Sequence, residues 1–280
     1  MSLLDHLRVP KGPVDLSAYA TDSTPGVKGD KDEGEERLAD LGPSLLELQT
    51  KLFAVGKSGE QRQLLLVLQG MDTSGKGGVL KHTVGLVDPV GVRITSFKAP
   101  TEAELAHDFL WRIERAVPGA GEVGVFDRSH YEDVLIQRVR QFAPPEEIER
   151  RYGAINDFER RLTDEGTVVL KCMLHISPEE QKQRLLARLE DPTKYWKYNP
   201  GDVDERQLWA DYTTAYEIAI ERTNTDHAPW HIVPSDKKWY RNLAVGRLLH
   251  ETLESMDLDW PDADFDIAAE KKRLAEDTIR

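Results

Sequence analysis

The chain has 280 residues, 39% hydrophobic and 31% charged, which excludes a disordered chain and allows one large α/β domain with a full core. Its net charge of −13 excludes the broad basic surface of a general nucleic-acid binder, so any polyanionic ligand must be met by a local cluster of cations. The single cysteine, Cys172, excludes an internal disulfide framework; it sits in an apolar run as a core thiol. Residues 1–8 carry no long apolar stretch and no segment approaches membrane-spanning length, so a cytoplasmic protein that does not enter a membrane is expected.

Residues 1–34 are polar and turn-rich, and read as an arm over the surface, partly ordered at best. Residues 35–280 read as a single domain. Leu38, Leu41, Leu45, Leu48 and Leu52 recur at helical spacing, with Gly42-Pro43 as the point where that helix breaks or restarts. Residues 63–69 and 92–97 read as strands. A helix is expected from Thr101, started by a capping-box pattern and carrying Leu105, Phe109, Ile113 and Val117. Residues 123–126 form a short buried strand, helices dominate from 131 to 162 around Pro144-Pro145, and 167–176 is the longest strand. Ser177-Pro178-Glu179-Glu180 then opens a helix with serine at the N-cap, proline at N1 and glutamate at N3. A last strand at 230–234 and helices around 236–256 and 263–278 complete the chain. Strands alternating with helices imply an α/β fold, a parallel sheet of about five strands flanked by helices.

The first strand runs into Gly70-Met71-Asp72-Thr73-Ser74-Gly75-Lys76-Gly77-Gly78, and a helix follows. Strand, glycine loop and helix in that order are the context of a P-loop. The glycines let successive N–H groups face one anion, the helix dipole adds to them, and Lys76 supplies a point charge. Gly77 stands where the usual motif has a hydroxyl that helps hold magnesium. The third strand empties into Asp127-Arg128-Ser129. In an open parallel sheet the carboxyl ends of neighbouring strands share one crevice, which brings Asp127 opposite Asp72 as candidate metal ligands, with Asp127 also suited to capping a helix. Arg128 suits charge neutralisation on a transferring phosphoryl group, or a plain ion pair. The cations that such a ligand needs cluster at 181–200. Arg184 and Arg188 share a helix face and repel unless an anion lies between them, so 178–202 reads as a lid. The segment after the second strand, with Lys98, Thr101, Asp108 and Arg112, is the candidate acceptor side. No histidine or cysteine spacing marks a transition-metal site.

With these residues, the sequence resembles the polyphosphate kinase 2 family, over the P-loop, the run from Phe126 to Leu135, and the stretches 96–112, 175–188 and 192–202. Glycine at 77 is what that family shows, and Ser129 to Asp133 is closest to the subgroup acting on both AMP and ADP. The resemblance implies a P-loop kinase fold like thymidylate kinase with a helical lid. It implies Mg2+ as cofactor, and reversible phosphoryl transfer between inorganic polyphosphate and adenine or guanine nucleotides, in a homo-oligomer of two or four chains. Gly75, Lys76, Gly77, Gly78, Lys81, Arg184 and Arg188 would hold phosphates, and Asp72 and Asp127 the metal. Arg128, Arg184 and Arg188 would spread transition-state charge. The rivals are an ATP-dependent nucleoside monophosphate kinase on the same fold, and a P-loop protein that binds nucleotide without turnover.

Overall fold

Five strands form one parallel sheet in a computed structural model that describes residues 2–278. They are β1 (Gln63–Gln69), β2 (Val92–Ser96), β3 (Val123–Asp127), β4 (Thr167–His175) and β5 (Trp230–Pro234), in the spatial order β2-β3-β1-β4-β5. The central strand, β1, is buried along its whole length. Alternate side chains of a strand point to opposite faces, so Leu64, Leu66 and Leu68 pack into one apolar layer and Leu65 and Val67 into the other.

The first layer is closed by the helices Lys31–Lys57 and Lys238–Ser255, the second by Pro145–Asp164 and Trp209–Thr223. The helix Lys31–Lys57 starts at Asp30, whose carboxylate accepts from Asp32 N and Glu33 N, and it runs unbroken through Gly42-Pro43. Proline removes one backbone hydrogen bond there, but Leu38, Leu45, Leu52 and Val55 stay on one buried face, and that packing outweighs the loss. Residues 102–114, expected as one helix, form two short ones, Glu102–Leu105 and Trp111–Glu114. Asp108 divides them by accepting from Leu110 N through its side chain (3.0 Å), a turn geometry that competes with helix.

The leading segment is ordered, in contrast to the expectation of a loose arm. Leu3, Leu7, Val9, Leu16 and Val27 are buried, Val9 N donates to Trp230 O, and Arg8 bridges His231 on the free edge of β5. An uncovered edge strand leaves unpaired backbone groups, and residues 8–9 cover this one.

Beneath the segment that follows β3 lies a buried polar cluster. Lys171, in the middle of β4, donates to Glu159 (2.7 Å), to Tyr131 Oη and to Thr223 O, and neither charged side chain is exposed at all. A buried cation that loses its carboxylate keeps the full desolvation cost. Glu159→Ala should therefore destabilise the protein by about 3–5 kcal/mol, whereas the double variant Glu159→Leu/Lys171→Met should lose much less. Urea unfolding of the three proteins measures the difference; equal losses in the single and double variants would contradict it.

Candidate active site

Leu68 of β1 lies level with Asp127 of β3, so the P-loop and the Asp127 turn open side by side at the carboxyl end of the sheet. The loop takes two left-handed steps, at Thr73 (φ 64°) and Gly75 (φ 112°), before the helix Lys76–His82 begins. Gly75 has to be glycine for a second reason: a Cβ there would lie 1.7 Å from Nη1 of Arg241. The Lys76 ammonium folds back over the loop to Gly70 O at 2.8 Å. Burial lowers its pKa, Arg128 lowers it further, and Asp72, Asp127 and Glu132 act in the opposite sense. A Cβ at Gly77 would meet nothing within 4 Å, so no steric demand accounts for the missing hydroxyl.

After β3 the chain turns through Arg128 in the left-handed region (φ 63°), which aims the guanidinium at Asp72 Oδ1, 2.6 Å away. Burial opposes the charge on Arg128, but Glu132 and Asp72 outweigh it and raise its pKa. Asp127 accepts from Ser96 Oγ at 3.3 Å and faces the same cleft as Asp72. Asp72 and Asp127 together are two hard oxygen donors beside a phosphate loop, the ligand set of magnesium when substrate oxygens and waters complete the shell. The donor chemistry thus fits that ion; among the described residues there is no cluster of three or more His, Cys, Asp or Glu that would hold one without substrate.

These groups line a cleft of about 1630 Å³ bordered by eleven lysines and arginines against five aspartates and glutamates. Asp72, Gly75, Lys76, Gly77, Gly78, Lys81, Lys98, Asp127, Arg128, Arg184 and Arg188 all line it. Thr101, Asp108 and Arg112, expected on the acceptor side, are not among the residues that line it. Thr101 is occupied in a capping box with Glu104, and Asp108 holds Leu110 N and pairs with Arg150. Arg112 is enclosed beside Phe97, where it donates to Lys98 O and lies 3.7 Å from Asp133.

Arg184 is held by more partners than the sequence suggests. It lines the cleft, yet all five of its N–H donors are taken: by Glu180, by Thr73 O and Ser74 O in the P-loop, and by Ser235 O and Asp236 O after β5. It holds the loop and has no donor left for an anion. Arg188, one turn further along Pro178–Leu189, donates to Lys197 O and, at 3.5 Å, to Asp202 Oδ2. The expected repulsion between the two arginines is relieved because they diverge.

Sequence reasoning missed four residues that shape the site. Gln181 donates to Asp72 O, Tyr216 Oη accepts from Gly70 N, and Arg241 donates to Ser74 O while pressed against Gly75 and Gly78. Glu132 is half-buried close to Arg128 and Lys76; desolvation raises its pKa and those two cations hold it back. Only Arg241 carried a signal, a charge on the apolar face of a helix otherwise buried through Tyr240, Leu243, Ala244 and Val245.

A glycine loop after the central strand, a carboxylate at the end of the next strand and a cation-lined cleft over both define a P-loop phosphotransferase site. Comparison with known proteins sharpens the class. The family model for polyphosphate kinase 2 matches residues 28–261. An AMP/ADP-polyphosphate phosphotransferase from Meiothermus ruber is 46% identical over 252 residues, covering 90% of this chain and 93% of that protein. An ADP-polyphosphate phosphotransferase from Rhodopseudomonas palustris is 38% identical over 261 residues, 89% of each chain. The crystal structure of polyphosphate kinase 2 from Arthrobacter aurescens TC1 superposes with a TM-score of 0.96 at 56% identity, covering 99% and 98% of the two chains. The chain belongs to the polyphosphate kinase 2 family, and the family resemblance and fold class expected from the sequence are borne out.

Arg184→Ala should strip donors from buried loop carbonyls, at a cost of about 1–3 kcal/mol in stability, and weaken every phosphate ligand alike. Arg188→Ala should leave the unfolding midpoint unchanged. Thermal unfolding with KM for polyphosphate and for nucleotide separates the cases; an Arg184→Ala protein of normal stability that loses only polyphosphate affinity would restore Arg184 as a ligand.

Proposed function

We propose that this chain transfers phosphoryl groups reversibly between inorganic polyphosphate and nucleotides, ADP to ATP and AMP to ADP. The observation that carries it is the excess of cations around the P-loop cleft on a chain of net charge −13. Such a field in an otherwise repulsive protein suits a ligand that is a chain of phosphates. The relatives named for polyphosphate transfer to AMP or ADP support the same donor and acceptor.

In this reading, Lys76 and the loop N–H groups hold the phosphates at the point of transfer, and Arg128 and Arg188 neutralise charge on the moving phosphoryl group. Lys98, beside Asp127 at the end of β2, faces the acceptor phosphate, and Lys81 extends the cationic wall along the P-loop helix. The acceptor oxygen of a nucleotide is already ionised at neutral pH, so no residue has to remove a proton from it. Asp72 and Asp127 would hold Mg2+, which when bound screens the charge between phosphate oxygens. Asp72 can serve there only as its pairing with Arg128 allows, and the two residues act as a unit. We further infer a cytoplasmic location, in keeping with the absence of any described helix long and apolar enough to cross a membrane, and a homo-oligomer of two or four chains.

The direct test is incubation with long-chain polyphosphate, magnesium and ADP or AMP, reading the nucleotide formed. Activity with ATP as donor to AMP, and none with polyphosphate, would favour a nucleoside monophosphate kinase. Lys76→Ala and Asp127→Ala should each lower kcat by two to three orders of magnitude, about 3–4 kcal/mol, with an unchanged unfolding midpoint for Asp127→Ala and a modestly lowered one for Lys76→Ala, which frees Gly70 O. Gly77→Ser should fold normally, because the space is open, and should lower the magnesium concentration for half-maximal rate by supplying the absent hydroxyl. An unchanged metal requirement would mean the serine hydroxyl does not reach the ion.

A further inference from the structure

The leading segment does more than cover the edge of β5. After Val9 it passes along the carboxyl ends of β4 and β5, the end of the sheet where the cleft opens, and is fastened there at three points. His175 Nε2, on the last residue of β4, donates to Leu16 O at 3.2 Å. Tyr240 Oη, in the first turn of the helix Lys238–Ser255, donates to Pro25 O at 2.8 Å. Between these two points Thr21 and Asp236 hold each other twice. Thr21 Oγ1 donates to Asp236 Oδ2 at 2.7 Å, and Asp236 N donates to Thr21 O at 3.0 Å.

Asp236 borders the cleft, where its charge does nothing for an anion. Both carboxylate oxygens are engaged with the protein instead. Oδ2 takes the Thr21 hydroxyl, and Oδ1 accepts at 2.9 Å from the backbone N of Ser177, the N-cap of the helix Pro178–Leu189. Hydrogen bonds to an ionised acceptor are the strong, well-directed kind. The backbone of the same turn is spent on Arg184, which donates to Ser235 O and Asp236 O. Arg184 in turn donates to Thr73 O at 2.8 Å and Ser74 O at 3.0 Å inside the P-loop. One short turn therefore joins the leading segment, the start of the helix Pro178–Leu189 and the phosphate loop.

Thr21 and Asp236 are both half-buried, so their bond is not forced by the core. Water in place of the hydroxyl would satisfy the carboxylate at little cost, but it would not fix where the carboxylate stands. Phosphoryl transfer is sensitive to that difference, since a misplacement of about 1 Å far from the chemistry can cost on the order of a hundredfold in rate.

Resting on the reading of polyphosphate as donor to nucleotides, we propose that Thr21 and Asp236 are positioning residues for the transfer site. The leading segment, through Thr21, fixes the Asp236 turn. The turn fixes both the entry of the helix Pro178–Leu189 and the arginine that shapes the phosphate loop. Residues 16–25 thus belong to the active site without touching a substrate.

The test is a set of variants assayed with polyphosphate and ADP, well below the unfolding midpoint of each protein. Thr21→Val keeps the shape and removes the hydroxyl. It should lower kcat roughly three- to tenfold and leave both KM values within about twofold of wild type. Thr21→Ala, which brings no new bulk, should match it, and Thr21→Ser, which keeps the hydroxyl, should restore kcat. Asp236→Ala should lower kcat further, because it also frees Ser177 N. Combined with Thr21→Val it should lose no more than it does alone, to within about twofold, since the two residues act through one bond. A kcat unchanged in Thr21→Val, with only the unfolding midpoint lowered, would make the contact structural and overturn the proposal. So would equal losses in Thr21→Ser and Thr21→Val, or independent losses that multiply in the double variant. If the unaltered protein transfers nothing from polyphosphate to ADP, the reading of the donor falls and this role falls with it, an outcome distinct from losses confined to the variants.

Discussion

The site depends on where the P-loop carbonyls go. A loop that turns its N–H groups toward one anion turns its carbonyls the other way, and buried carbonyls need donors. Here they come from three other elements. Lys76 closes on Gly70 O, Gln181 on Asp72 O, Arg184 on Thr73 O and Ser74 O, and Arg241 on Ser74 O. The root of the helix Pro178–Leu189 and the start of Lys238–Ser255 are thereby built into the loop, and the protein's own donors hold its shape. Preorganisation of this kind spares the reaction the cost of arranging dipoles at the moment of transfer.

The same anchoring divides the helix Pro178–Leu189 in two. Its first half, through Arg184, is fixed by the carbonyls of the loop and of the turn after β5, while Arg188 at the far end touches only Lys197 O and Asp202. Beyond it stands an aromatic segment with Trp196 79% exposed. Charge in the cleft works against the sign of the whole molecule. At physiological salt, charges more than about 8 Å away are largely screened, so little of the net −13 is felt by a polyanion at the cleft and the local cations govern its approach.

Much of this was legible in the sequence, and the reason is periodicity. An apolar run of strand length, a glycine loop and a helix specify the central strand and its P-loop without outside help, and a short buried strand ending in Asp127 specifies the neighbouring turn. The parallel register then brings the two together. What was not legible depended on partners far away in the chain. Arg184 and Arg188 look alike as letters four apart, and only the carbonyls of Ser235 and Asp236 tell them apart. Thr101 and Asp108 bond to nearby backbone, since short polar side chains satisfy local backbone as readily as a ligand. The leading segment looked loose because its apolar residues, Leu3, Leu7, Val9 and Leu16, follow no single period; they fit the edge of β5 and the last long helix, which local pattern does not reveal.

That edge contact has a consequence for how the chain is made. Val9 O is held by Asn224, 215 positions later, so this segment has no dock until that much more of the chain has been made. At 5–20 residues per second that wait is roughly ten to forty seconds, with Leu3, Leu7 and Val9 uncovered throughout. The P-loop shares the delay, since Arg241 is also among the late arrivals. Until the last long helix is made, Leu3, Leu7 and Val9 therefore stay uncovered and the phosphate loop lacks the donor that Arg241 gives to Ser74 O.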